Sequence, residues 1–256
     1  MIVRRPPRPS TSHTPALTQR LSALRRGAPA LRAVSTFLGR HAVRPRLTWT
    51  WMAVLVGVYL VFVATGDPYD LNHHYNWGAL YVGETPPMWQ TYAHVREFGP
   101  GEAWRLGTLT LLHFGSLHLI LNVLMLWRFG TFVEALFGRA RLAAIYGLSA
   151  AISGLAVVLQ GYPSLLLVGA SGAIMALGGA VIAALLLRRD LRTSQIGRAE
   201  LIALVILFGL QIVFDSLTPE VSGTAHAAGI AAGLVLGALF LPRRDRAFLD
   251  MLEQTG

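Results

Sequence analysis

Apolar stretches of about twenty residues recur along the chain, and that is the length a helix needs to cross the hydrocarbon core of a bilayer. Residues 47–66 form such a run, bounded by Arg46 and Asp67. Residues 106–127 form a second, uncharged until Arg128 and Glu134. Residues 142–187 carry no charge at all, which is too long for one crossing; Gly161 and Pro163 divide them near 142–160 and 169–187. Residues 201–217, with Asp215 near the end, and residues 221–242 complete the set. The pattern predicts an all-α polytopic membrane protein, a bundle of six transmembrane helices.

The charges between the runs test that count. All 22 basic residues are arginine. If residues 1–46 are cytoplasmic and the chain alternates sides, that tail contributes ten arginines. The same side receives Arg128, Arg139 and Arg141, then Arg188, Arg189, Arg192 and Arg198, then Arg243, Arg244 and Arg246. The other side holds Arg96 and Arg105 with Asp67, Asp70, Glu84, Glu97, Glu102 and Glu220. Such a bias fits the positive-inside rule with both termini cytoplasmic, and an odd number of spans would spoil it.

Composition narrows the classes further. Of 256 residues, 54% are hydrophobic and only 14% charged, well short of a soluble domain. The net charge of +9 is accounted for by topology, so nucleic-acid binding is not expected. No cysteine is present, which excludes disulfides and thiolate chemistry. Residues 1–46 lack acids, and Pro6, Pro7 and Pro9 oppose independent folding at their start. Between residues 17 and 43, Leu17, Leu21 and Leu24 alternate with Arg20, Arg25 and Arg26. That spacing fits a helix on an anionic membrane surface, a solvated basic tail, or a mitochondrial transit peptide. The long loop at 67–103 carries Tyr69, Tyr75, Trp77, Tyr81, Trp89 and Tyr92, residue types that favour the headgroup region.

Polar side chains within apolar spans are costly and point to function. Four stand out: His118, Asn122, Ser171 and His226. Ser171, in Gly169-Ala170-Ser171-Gly172, is either a small residue for close helix packing or a hydroxyl beside the free N–H groups of a helix start. Ala173 rules out the Gly-x-Ser-x-Gly elbow. His226 precedes Gly229, Gly233 and Gly237, four apart, which give one smooth helix face. It is a packing histidine or, at a depth like that of Ser171, its base. His118 and Asn122, four apart, share a face and either bond neighbouring helices or donate into a site. The spacing of His113 and His118 is not that of a zinc site, and no metal or other cofactor is expected.

These residues resemble the rhomboid family of intramembrane serine proteases, most closely its six-span bacterial form, over about residues 47–242. The resemblance rests on Trp104-Arg105, His113-Phe114 with His118-x-x-x-Asn122, Gly169-x-Ser171-Gly172, and Ala225-His226-x-x-Gly229-x-x-x-Gly233, in the family's order. It implies Ser171 as nucleophile and His226 as general base, a dyad with no third acid, in keeping with the lack of an Asp beside His226 in sequence. It implies His118, Asn122 and the Ser171 N–H as oxyanion donors, and Trp104 and Arg105 as a structural pair. Substrates of the family are single-span membrane proteins, cut at small residues near helix breakers. Met175 departs from the family, several bacterial members having an aromatic residue there for the histidine to pack against.

The expected organisation is a basic cytoplasmic tail at 1–46, a protease domain at 47–242 and a cytoplasmic tail at 243–256. The arginine-only basic set and the lack of an extra N-terminal span favour a bacterial inner membrane over a mitochondrial one. Two alternatives remain: a catalytically inactive rhomboid-like protein that binds membrane clients, and a small transporter using Asn122, Asp215 and the histidines.

Overall fold

The computed structural model describes residues 45–83, 98–162, 164–193, 195–217 and 222–242. The candidate surface helix at 17–43, the C-terminal tail, and Trp89 and Tyr92 of the long loop lie outside them. Each apolar run becomes a helix: α1 (Arg46–Thr65), α4 (Gly115–Phe137), α5 (Arg139–Gln160), α6 (Ser171–Leu187), α8 (Gln195–Leu217) and α9 (Gly223–Leu239). Shorter helices α2 (Leu71–Trp77), α3 (Arg105–Thr108) and α7 (Arg189–Thr193) lie between them. Among the described residues, four helices are long and apolar enough to cross a membrane: α1, α4, α5 and most of α8. With 17 residues each, α6 and α9 are shorter; at 1.5 Å per residue they reach about 26 Å, near the lower limit for a span.

The second run is displaced from its expected place. Residues 106–114 form the end of α3, a 3-10 turn at Leu109–Leu111 and an extended link, and the long helix begins only at Gly115. Gly115 has φ +76°, and a Cβ there would meet the Tyr69 hydroxyl at 2.7 Å, so the chain turns sharply before the helix starts. The helix then continues through Arg128 and Glu134, whose charges have partners. Arg128 pairs with Glu200 on α8. Glu134 is buried and accepts the backbone N–H of Leu47 (3.1 Å) and Thr48 (2.8 Å), the Thr48 hydroxyl (2.8 Å) and Arg139 Nε (3.1 Å). A carboxylate is thus placed at the N-terminus of α1, where free N–H groups and the helix dipole favour it.

The core is apolar: Leu126, Phe129 and Val133 of α4 meet Leu142 and Ile145 of α5 and Ile174, Leu177 and Leu185 of α6. Nearly all of α6 is buried, while α8 exposes Ile202, Val205, Ile206, Leu210, Ile212 and Val213. Exposed apolar side chains in such number suit lipid and not water. The contact of α6 with α9 is made backbone to backbone. A Cβ at Gly229 or Gly233 would overlap the carbonyl oxygens of Gly172 and Ala176. Small residues permit this approach where no hydrophobic force drives helices together.

Among the described residues the all-α bundle carries one short antiparallel ladder, β1 (Leu80–Gly83) with β2 (Ser164–Leu167), pairing Leu80 with Leu167 and Gly83 with Ser164. Tyr75 and Tyr81 are buried in this region, not placed at a headgroup surface, while Tyr69 is exposed. Arg105, itself buried, binds the carbonyls of Tyr75 (2.6 Å) and Ala79 (3.0 Å) and pairs with Glu102. Its guanidinium lies 3.8 Å from the Tyr75 ring centroid and 4.4 Å from that of Trp104. The Trp104-Arg105 pair therefore staples the turn between α2 and β1.

Candidate active site

Strand β2 ends at Leu167 and the chain must turn at once into α6. Gly169 makes the turn at φ +119°, and its N–H donates to the Leu109 carbonyl at 2.9 Å. A Cβ there would stand 2.9 Å from the His118 ring, so both conformation and space call for glycine. Ser171 follows as the first residue of α6, beside N–H groups that lack intrahelical partners.

His226 lies in the first turn of α9, which Ser222 caps by accepting the Ala225 N–H at 3.2 Å. Its Nε2 is 2.8 Å from Ser171 Oγ. Gly229 makes this possible, because a Cβ there would meet the Gly172 carbonyl oxygen at 2.1 Å; a Cβ at Gly172 would instead strike Ser153 of α5 at 2.8 Å. The sequence-predicted pair, on separate helices and 55 residues apart, is thus brought into a hydrogen bond.

His118 and Asn122 line the same cavity of about 340 Å³ as Ser171, His226, Met175 and Gln211. Asn122 is buried and uses one amide N–H on the His118 carbonyl (2.9 Å); the second remains for another acceptor. Trp104 and Arg105 do not line this cavity, and Gly233 lies one turn deeper on the α6–α9 contact.

One expectation is corrected. An acid does stand beside His226: Asp215 of α8 reaches its Nδ1 at 2.8 Å (Oδ2) and 3.0 Å (Oδ1). Gln211, one turn earlier on the same face, donates to Asp215 Oδ1 at 2.7 Å. The sequence reading placed Asp215 near the end of its span and in the transporter alternative, but not beside His226. The signal was the Gln211–Asp215 spacing of four, with a connection to α9 too short to carry Asp215 far from His226.

The architecture and the site together define a polytopic helical membrane protein that holds a serine hydroxyl against a histidine at a helix N-terminus. The Rhomboid domain family model matches residues 100–243, more than half of the chain, and the protein belongs to the rhomboid family. It is 36% identical over 146 residues to "Rhomboid protease GluP" of Bacillus subtilis, covering 56% of this chain and 27% of that one. It is 29% identical over 148 residues to "Putative rhomboid protease YdcA" of the same organism, covering 58% and 72%. With "Rhomboid protease GlpG" of Salmonella typhi it shares 29% over 209 residues, 81% of this chain and 64% of that protein. The chain thus spans about a quarter of the length of GluP and just under two thirds of GlpG.

Proposed function

We propose that the protein is an intramembrane serine endopeptidase in which Ser171 is the nucleophile and His226 the general base. The observation that carries this reading is the 2.8 Å contact between Ser171 Oγ and His226 Nε2 inside a cavity at the start of α6. His226 takes the Ser171 proton as Oγ bonds to the scissile carbonyl carbon, and the carbonyl π electrons move onto oxygen. The oxyanion is met by the Ser171 N–H, His118 and the free N–H of Asn122. Collapse breaks the C–N bond, and Nε2 returns its proton to the leaving amine. Water, activated by the same imidazole, then releases the acyl group from Ser171.

Residues 47–242 form the protease domain, residues 1–46 and 243–256 cytoplasmic tails, and the membrane is a bacterial inner membrane. Substrates are proteins with a single transmembrane segment, cut within or near it. Helix breakers in the substrate favour cleavage, because a peptide bond in an intact helix is shielded by its own hydrogen bonding. The cavity wall is mostly apolar, with Leu117, Leu121 and Met125 of α4 beside the polar groups, which suits a substrate arriving from lipid.

The test uses a single-span reporter with Ala at the cut and a Gly-Pro pair after it, together with a fluorophosphonate probe. Wild-type protein cuts the reporter and is labelled at Ser171. Ser171→Ala and His226→Ala each abolish cleavage, and the double variant is no worse than either, because the pair acts as a unit. Cleavage by Ser171→Ala overturns the reading. Capture of the reporter by wild-type protein without cleavage or labelling identifies an inactive client-binding relative instead.

A further inference from the structure

We infer that Asp215 is a positioning residue for His226, giving this chain a Ser171–His226–Asp215 triad in place of a two-residue site; the inference rests on the serine-protease reading above. The carboxylate lies in plain hydrogen-bond range of Nδ1, while Nε2 faces Ser171. An imidazole that accepts the Ser171 proton must present a lone pair at Nε2 and so carry its hydrogen on Nδ1. An acceptor at Nδ1 selects that tautomer, and Asp215 is one.

Gln211 fits that tautomer. Its Nε2 is 3.3 Å from His226 Nδ1 and 2.7 Å from Asp215 Oδ1. With hydrogen on Nδ1, two donors face each other across the longer distance, so the working bond of Gln211 is the shorter one, to the carboxylate. The amide thereby holds Asp215 towards the ring.

The surroundings separate this arrangement from an ordinary surface ion pair. Only 7% of the His226 side chain and 10% of the Asp215 side chain are exposed. A carboxylate withdrawn from water between apolar helices is costly unless its partners compensate. Charged or titratable groups near His226 come from three helices: Ser171 on α6, Asp215 on α8, and His118 of α4 across the cavity. Among the described residues, Asp215 is the anion at the ring. As Oγ attacks and the ring takes up its proton, Asp215 keeps its charge and offsets the imidazolium; no proton passes to it.

Asp215→Asn keeps the shape but removes the charge, and its amide N–H competes for Nδ1 and favours the unproductive tautomer. The expected outcome is a kcat lower by roughly 10²–10⁴-fold with KM little changed. The acid limb of kcat/KM moves to lower pH, because the imidazolium has lost its counter-ion. Asp215→Glu, which retains the charge, recovers part of kcat and keeps the wild-type acid limb. Both variants are assayed as monodisperse protein in lipid bicelles with the single-span reporter, and fluorophosphonate labelling of Ser171 is normalised to folded protein. Loss of fold is then read as loss of protein and not of rate. If Ser171→Ala is dead but Asp215→Asn has wild-type kcat and pH profile, the inference fails and the dyad stands. A loss of stability with an unmoved pH profile makes Asp215 a tie between α8 and α9 and also overturns it. If Ser171→Ala still cuts, the protease reading itself has failed.

Discussion

Glu134 on α4 accepts the backbone N–H of Thr48 at 2.8 Å and the Thr48 hydroxyl at the same distance, so the first turn of α1 is capped by a side chain from another helix. This cap fastens α1, which has few buried residues, to the core of the bundle. Glu134→Ala leaves those donors unpaired and lowers stability by about 2–3 kcal/mol, the range for hydrogen bonds to a buried charge. Thermal unfolding in detergent measures it. Cleavage per folded molecule should stay near wild type, since Glu134 does not line the cavity; unchanged melting removes it as the tie.

Gly233 faces Ala176 with no room for a side chain. Gly233→Ala pushes α9 away from α6 and costs about 1–3 kcal/mol, as for overpacking of a tight core. Because Ser171 and His226 ride on those helices, activity per folded molecule falls as well. Gly57 faces open space, so Gly57→Ala is the control that should alter neither.

If His118 and Asn122 hold the oxyanion, Asn122→Ala lowers kcat by up to roughly 10²–10³-fold, less if the remaining donors share the charge. Slow fluorophosphonate labelling of Ser171 persists, unlike in Ser171→Ala. Single-turnover cleavage beside thermal stability decides the role: parallel loss of both assigns these residues to packing.

His74, fully buried in α2 outside the long apolar helices, has its pKa pushed below the ordinary 6.5 by burial, with its neighbours adding smaller effects. The unfolded chain therefore binds a proton before the folded one does. Its contribution to stability is complete above about 6.5 and is lost as pH falls from there through the folded-state value. Melting temperature should drop between neutral pH and pH ~5, and His74→Gln should flatten part of that drop. Equal slopes in the two proteins would acquit His74.

Reporter fusions after residues 46, 140, 195 and 250 should read as cytoplasmic and one near 164 as external, following the distribution of arginines. A cytoplasmic reading near 164 breaks the proposed orientation of both tails.

Most helices were legible because uninterrupted apolar runs have one economical arrangement in lipid. The second run was read too early: the sequence shows Gly115, but not that Tyr69 crowds it into a positive φ. It was also ended too soon, since the partners that let Arg128 and Glu134 stay inside α4 are distant in sequence. Ser171, His226, His118 and Asn122 were visible as isolated polar residues among apolar ones, and the rhomboid resemblance supplied their expected roles. Asp215 was visible but unpaired, because its contact with His226 depends on how the end of one helix meets the start of the next.

The bond between Asp215 and His226 joins two unlike supports. His226 stands on α9, locked against α6 through glycines, whereas α8 turns much of its length outward. Any displacement of α8 against the α6–α9 pair therefore changes the length of this one hydrogen bond, while the spacing of Ser171 and His226, set by the glycine contacts, stays as it is.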